Sequence, residues 1–222
     1  MRLILIICLL LPFDLRPQVN DLRALAHPST SLGMTLSLSK GQGKQDVERD
    51  VQRIAMQGWL AARALVPKGG ALDLLGPVNI RLKELDAIPS RSARYAEIAI
   101  RAAVSAAQEE RDEMELLLAH ARDLSNQMGA GAGTPPEWPL PIDELEGELW
   151  FEVDRYPEAR DAYERATRQR PTPNAWIGLA RASDRLGDTV TACRAYTTAA
   201  TTQNLPTAVE LEISIYALKC KI

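Results

Sequence analysis

The carboxylates Glu109, Glu110, Asp112, Glu113 and Glu115 crowd one short stretch of this chain. Paired carboxylates in differing environments can divide the work of general acid and general base. Here Arg111 stands among them, and the run falls on a turn and the polar face of a helix. Solvated side chains are therefore expected rather than a catalytic pair. Gly41-Gln42-Gly43-Lys44 resembles part of a phosphate cradle, but it lacks a glycine five positions before Gly43 and a Ser or Thr after Lys44. The glycines at 129, 131 and 133 have no strand-turn-helix context and no lysine after them. No His-Glu-x-x-His, Gly-x-Ser-x-Gly or Cys-x-x-Cys motif occurs. His27 and His120 are too few for a histidine-rich metal site, and His120 is expected on a helix surface or core edge. Cys8, Cys193 and Cys220 are far apart and odd in number, so they suggest neither a disulfide framework nor a zinc pattern. Cys193 is expected to pack as a small apolar residue. The reading is non-enzymatic, with no catalytic, cofactor-binding or metal-ligating residue assigned. The less favoured alternative, a helical domain with an enzymatic activity, would need a convergent polar set that the sequence does not display.

The elements that would position functional side chains read as helices. The composition is 46% hydrophobic but only 5% aromatic, with abundant alanine, which suits close-packed helices better than sheets. A net charge of -3 gives no electrostatic reason to expect nucleic acid as a partner. Residues 3–11 are an apolar run after Arg2, too short for a bilayer span and similar to the apolar region of an export signal, with Pro12 as breaker and Ala24-Leu25-Ala26 as an imperfect cleavage site. An exported, periplasmic or secreted protein is slightly favoured over a cytoplasmic one starting at Met34. Residues 1–45 are read as this signal-like segment plus a disordered region.

From Asp46, Val47, Val51, Ile54, Ala55, Gly58, Ala62 and Leu65 recur at helical spacing, and Leu72, Leu75, Val78, Leu82 and Leu85 follow with the same period, interrupted by Gly76-Pro77. Tyr95, Ile98, Ala99, Ala102 and Ala106 form another stripe, then Met114, Leu117, Leu118, Ala121 and Leu124. Residues 46–128 are thus helical hairpins, 129–139 a Gly/Pro linker in which Trp138 pins the chain to the next helix, and 205–222 a capping helix with Ala208, Leu211, Ile215 and Leu218 as its apolar face.

Between 140 and 204 the chain repeats itself at 33 residues. Gly147 matches Ala180, Val153 matches Leu186, Ala159 matches Ala192, Tyr163 matches Tyr196 and Ala166 matches Ala199. Small and large residues in this alternation let helices approach and interlock. Trp176, Leu179 and Ala180 in one unit, and Ala159, Tyr163, Ala166 and Pro171 in the other, resemble the tetratricopeptide repeat. Glu146 departs from the pattern, standing where a leucine is expected, and Asn204 replaces the second closing proline. Ile98, Ala102, Met114, Leu118 and Ala121 read as a degenerate third copy over 95–128.

The resemblance implies an all-α fold of antiparallel hairpins stacked as a short right-handed solenoid. It further implies that first helices line a concave groove for a peptide or partner helix. Glu144, Glu148, Phe151 and Glu152 would face that groove from one unit, and Asn174, Ile177, Arg181, Asp184 and Arg185 from the next. Phe151 would anchor the ligand. Glu148 would meet Arg181, and Glu152 would meet Arg185, either as ligand contacts or as braces across the stack. Acids at Glu144 and Glu148 argue against a C-terminal carboxylate as ligand. The expected function is protein–protein interaction as a scaffold or adaptor, with no nucleic acid and no stable membrane span. A self-associating structural module is the alternative.

Overall fold

The structure, a computed structural model, describes residues 40–65, 74–130, 138–201, 205 and 207–220. The apolar run at 3–11 and the cleavage-like site at 24–26 lie outside the described residues. Among the described residues every element is a helix, nine in all, and no helix is long and apolar enough to cross a membrane.

The helices are α1 (Lys40–Arg63), α2 (Gly76–Asp86), α3 (Arg91–Ala107), α4 (Arg111–Ala130), α5 (Ile142–Glu152), α6 (Tyr156–Gln169), α7 (Pro173–Arg185), α8 (Thr189–Ala200) and α9 (Thr207–Cys220). α1 begins ahead of the expected Asp46 and takes Gly43 into the helix. An interior glycine costs about 1 kcal/mol, yet extending a helix already anchored by Val51, Ile54, Ala55 and Trp59 is cheap compared with nucleating one. Val47, expected in the core, is exposed. α4 likewise runs through Gly129 to Ala130, so the first residues of the expected linker are helical.

α3 is the centre of the larger core. Ser90 caps it, its hydroxyl accepting the Ala93 N–H at 3.0 Å. α1, α2, α4 and α5 all pack on it, and it is buried nearly all round. Alanines at 93, 96, 99, 102, 103 and 106 make this crowding feasible. Tyr95 donates its hydroxyl proton to the Leu140 carbonyl at 2.7 Å, tying the segment before α5 to this core, and Trp138 packs on the same cluster.

Three pairs of helices, α3/α4, α5/α6 and α7/α8, pack along each other and share one turn design. Each turn has three residues, and its middle residue is left-handed: Glu109 (φ 61°), Asp154 (φ 60°) and Gly187 (φ 78°). The next N–H in each reaches back five residues, Glu110 to the Ser105 carbonyl, Arg155 to Trp150 and Asp188 to Ser183, each at 2.9 Å. These bonds satisfy carbonyls that a helix end would otherwise leave open. Asp154 and Gly187 are 33 positions apart, the period of the sequence repeat.

The second core surrounds Tyr163. Its ring lies between Gly147 of α5 and Gly178 of α7, where a Cβ on Gly147 would fall 2.8 Å from the ring and one on Gly178 closer still. Small residues here let α5, α6 and α7 close around one aromatic. Tyr196 of α8 stacks on Tyr216 of α9, with centroids 4.1 Å apart.

α9 presents the opposite face from the one expected. Leu211, Ile215 and Leu218 face solvent and Ala208 is exposed, whereas Glu212, Ile213, Tyr216 and Cys220 turn inward. The reason is a set of anchors specific to that inward face. Glu212 pairs with Arg181, Tyr216 stacks on Tyr196, and Cys220 is joined to Cys193 by a disulfide with Cα atoms 5.7 Å apart. The cysteines, read from sequence as separate, are therefore partners across α8 and α9.

Candidate functional site

One face of the molecule carries a cleft of about 250 Å³ where α1, α5, α7 and α9 approach. Five of the nine expected groove residues line it: Glu144 and Glu148 from α5, and Asn174, Ile177 and Arg181 from α7. Trp59 of α1, Leu140, Tyr163, Gly178 and Val209 of α9 complete the wall. Trp59 and Val209 lie outside the 33-residue repeat, so its register offered no signal for them.

Glu144 sits deepest among the acids, 5% exposed. Its Oε1 accepts the Thr172 hydroxyl at 2.8 Å, while that same hydroxyl oxygen caps α7 by accepting the Ala175 N–H at 3.0 Å. Burial raises the Glu144 pKa above the ordinary carboxylate value, against the lowering effects of Thr172 and the nearby Arg170 guanidinium. Tyr163 donates to Glu148 Oε2 at 2.9 Å, and both burial and that carboxylate push the phenol well above its ordinary value.

The expected pairings across the repeat do not form. Glu148 instead meets Arg63 of α1 at 3.0 Å, and Glu152 pairs with the same guanidinium. Arg63 also lies over the Trp59 ring at 5.7 Å. Arg181 turns toward α9 and forks onto Glu212 at 2.8 and 2.6 Å. The glutamates thus find a base from an earlier helix, and Arg181 an acid from a later one. A shift by one repeat could not reveal either partner.

The other four expected groove residues serve elsewhere. Phe151 packs edge-on against Tyr156 with centroids 5.3 Å apart and does not line the cleft. Arg185 lies over the Tyr156 ring, 5.5 Å from its centre. Asp184 accepts from Tyr216 and Lys219 of α9. Burial acts to raise the Asp184 pKa, but the bonds from Lys219 and Tyr216 outweigh it and hold the carboxyl below its ordinary value. Glu152 is enclosed beside Arg63, its side chain 6% exposed.

A second polar cluster was not anticipated. Arg122 of α4 bonds Asp143 at 2.7 Å and Glu146 twice at 2.6 Å, and Arg165 of α6 meets the same two acids at 3.0 and 2.5 Å. Glu146, the departure from the repeat pattern, is thus one of four side chains in an ion cluster that joins three helices. The cue was the pair Asp143 and Glu146, three residues apart on the face where the repeat wants leucine. Removing one member of such a cluster leaves a partner's charge enclosed and uncompensated, which costs more than the intact cluster gains. The Glu109–Glu115 acids are exposed as expected, and so is His120. Among the described residues no three His, Cys, Asp or Glu side chains converge as a metal site would require.

In chemical terms the cleft is an amphipathic slot. Aromatic and aliphatic walls from Trp59, Tyr163 and Ile177 flank two carboxylates on one side and one guanidinium on the other. Compared with protein-family models, curated proteins and solved structures, the chain matches none.

Proposed function

We propose that this chain is a non-enzymatic, tetratricopeptide-like repeat protein whose α5/α7 cleft holds a segment of another protein. The repeated turn design, its 33-residue step and the Tyr163 ring seated on Gly147 and Gly178 all support stacked hairpins of that kind. In such a stack the first helices of successive units line the groove, and the cleft is built from them.

The observation that carries the binding reading is Glu144. Burial outweighs both the Thr172 hydroxyl and the Arg170 guanidinium at this carboxylate, and the Glu148 carboxylate beside it adds to the effect, so further positive charge in the cleft would be favourable. A basic side chain of an incoming segment would answer it, with its aliphatic stem along Ile177 and Trp59. At about 250 Å³ the cleft suits one or two side chains of an extended peptide rather than a large cofactor.

The test is selection of a random peptide library on the full chain, with counter-selection on Asn174→Trp, which fills the exposed rim of the cleft. Peptides enriched in Lys or Arg that bind the parent protein and not the variant support the reading. Peptides that bind both alike, or no enrichment, refute it. Circular dichroism checks that the variant keeps its helices.

A further inference from the structure

The stripe that α4 buries ends on a hydroxyl. Its buried residues are Met114, Leu118, Ala121 and Ser125, at steps of four, three and four. Ser125 stands where the register calls for a fourth apolar side chain. It is 5% exposed, and its hydroxyl has no hydrogen-bond partner among the described residues. A helical Ser or Thr commonly bonds the carbonyl four residues back. Thr197, Thr198 and Ser214 do so here, and Ser125 does not. A buried hydroxyl left unpaired is costly, and Ser125 lines a cavity that could supply its partner.

That cavity, of about 390 Å³, lies where the end of α4 meets the head of α5 and the end of α6. The volume falls among small-ligand sites, roughly 300–1,000 Å³. Its unspent donors gather on the α4 and α5 side. Arg122 holds Asp143 and Glu146 through Nε and Nη2, which leaves Nη1 without a partner among the described residues. α5 starts after Pro141, and no side chain caps its first N–H groups. A guanidinium edge, a hydroxyl and an uncapped helix start together suit a carboxylate. An acceptor stands in the same cavity. Glu144 accepts from Thr172 through Oε1, which leaves Oε2. The fixed charges around the cavity balance, with Arg122, Arg165 and Arg170 against Asp143, Glu144 and Glu146. A ligand with a net charge would upset that balance in an enclosed place, and a zwitterion would not.

We infer that this cavity binds a free α-amino acid as its zwitterion. The ligand's carboxylate accepts from Arg122 Nη1 and the Ser125 hydroxyl at the head of α5, and its ammonium donates to Glu144 Oε2. Ile142 and Ala166 give the ligand's side chain an apolar wall, and the amides of Asn126 and Gln169, exposed at the mouth, favour a polar end. The inference does not rest on the cleft reading, although both assign Glu144 a cation.

Thermal denaturation of the full chain with each standard L-amino acid at ~10 mM, followed by calorimetric titration of those that stabilise it, tests this. At least one amino acid is expected to bind with a Kd below ~1 mM. Ser125→Ala, which keeps the space and removes the hydroxyl, should weaken binding about tenfold. Ser125→Leu, whose side chain fills the cavity, should abolish it, with circular dichroism confirming that both variants stay helical. The deaminated acid and the decarboxylated amine of the same amino acid should each bind at least about tenfold more weakly. No binding by any of them means a hydrated cavity only and overturns the inference. So does a deaminated acid, or inorganic phosphate, that binds as tightly as the amino acid, since the cavity would then be an anion site. Binding that survives in Ser125→Leu, or that is lost in Asn174→Trp instead, places the amino acid outside this cavity and overturns it as well.

Discussion

The ring of Tyr163 rests on the backbone of Gly178, closer than any side chain at that position would allow. One aromatic from α6 thereby sets the spacing between α5 and α7, the two helices that supply most of the cleft. The same residue also reaches the cleft, where its hydroxyl donates to Glu148.

Gly178→Ala should therefore destabilise the protein, in spite of alanine's better helix propensity. The added methyl meets a ring enclosed on its other side by Gly147, and overpacking of this kind costs about 1–3 kcal/mol. Gly43→Ala is the comparison, since nothing lies within 4 Å of a Cβ there, and it should gain up to about 1 kcal/mol. Urea unfolding of both variants measures the difference. Equal effects would show that the Tyr163 contact does not set the packing.

The three hairpin turns make a second prediction. Glu109 adopts φ 61° at the position where the third turn has Gly187. A residue with a Cβ pays about 1 kcal/mol for that conformation, and glycine does not. Glu109→Gly should raise stability by ~0.5–1 kcal/mol in chemical denaturation, whereas Gly187→Glu should lower it by a similar amount.

Attachment of α9 should depend on pH. Burial acts to raise the Glu212 pKa, but the bonds from Arg181 and Tyr196 prevail and hold it below the ordinary value; Asp184 is lowered in the same way. Acids with depressed folded pKa values add stability that is fully present above their unfolded pKa values. That stability is lost as pH falls through the lower folded values. At the alkaline end, burial and then the bond to Asp184 push Tyr216 up to about 12, so its contribution is present below its unfolded value of 10.0 and lost as pH rises toward 12. The amide resonances of α9 should accordingly hold steady near neutrality and shift cooperatively below about pH 4. Glu212→Gln should shrink that acid transition. An α9 that shifts equally in both proteins would contradict the assignment.

The disulfide reinforces the same docking. Cys193 and Cys220 are 27 residues apart, and closing a loop of that size stabilises by roughly 3.5 kcal/mol in the chain-entropy model. Cys220→Ser should lower the urea midpoint. Hydrogen exchange in α9 should accelerate more than in α3, because α9 has lost its covalent anchor and α3 is enclosed by four helices.

What could be read in the sequence follows from where the information resides. Stripes such as Tyr95, Ile98, Ala99, Ala102 and Ala106 report burial locally, and all five are buried. Cleft residues on α5 and α7 were legible because the 33-residue shift aligns those two helices with each other. Partners from outside the repeat were not: Arg63 and Trp59 come from α1, and Glu212 and Val209 from α9. α9 misled in a further way. Its Leu211, Ile215 and Leu218 stripe is the stronger apolar signal, yet the inward face is decided by Tyr216, Glu212 and Cys220, whose value depends on Tyr196, Arg181 and Cys193 waiting opposite. Helical periodicity cannot weigh a stacking, an ion pair or a disulfide.

A partner's segment held in the cleft between Glu144 and Arg181, as proposed, should be sensitive to the cleft's rim. The most direct measurement is the affinity of a selected basic peptide for the parent protein and for Asn174→Trp, by fluorescence anisotropy at one pH and salt concentration. At least a tenfold loss is expected in the variant, about 1.4 kcal/mol. Equal affinities, with both proteins folded, would contradict it and place the binding surface elsewhere.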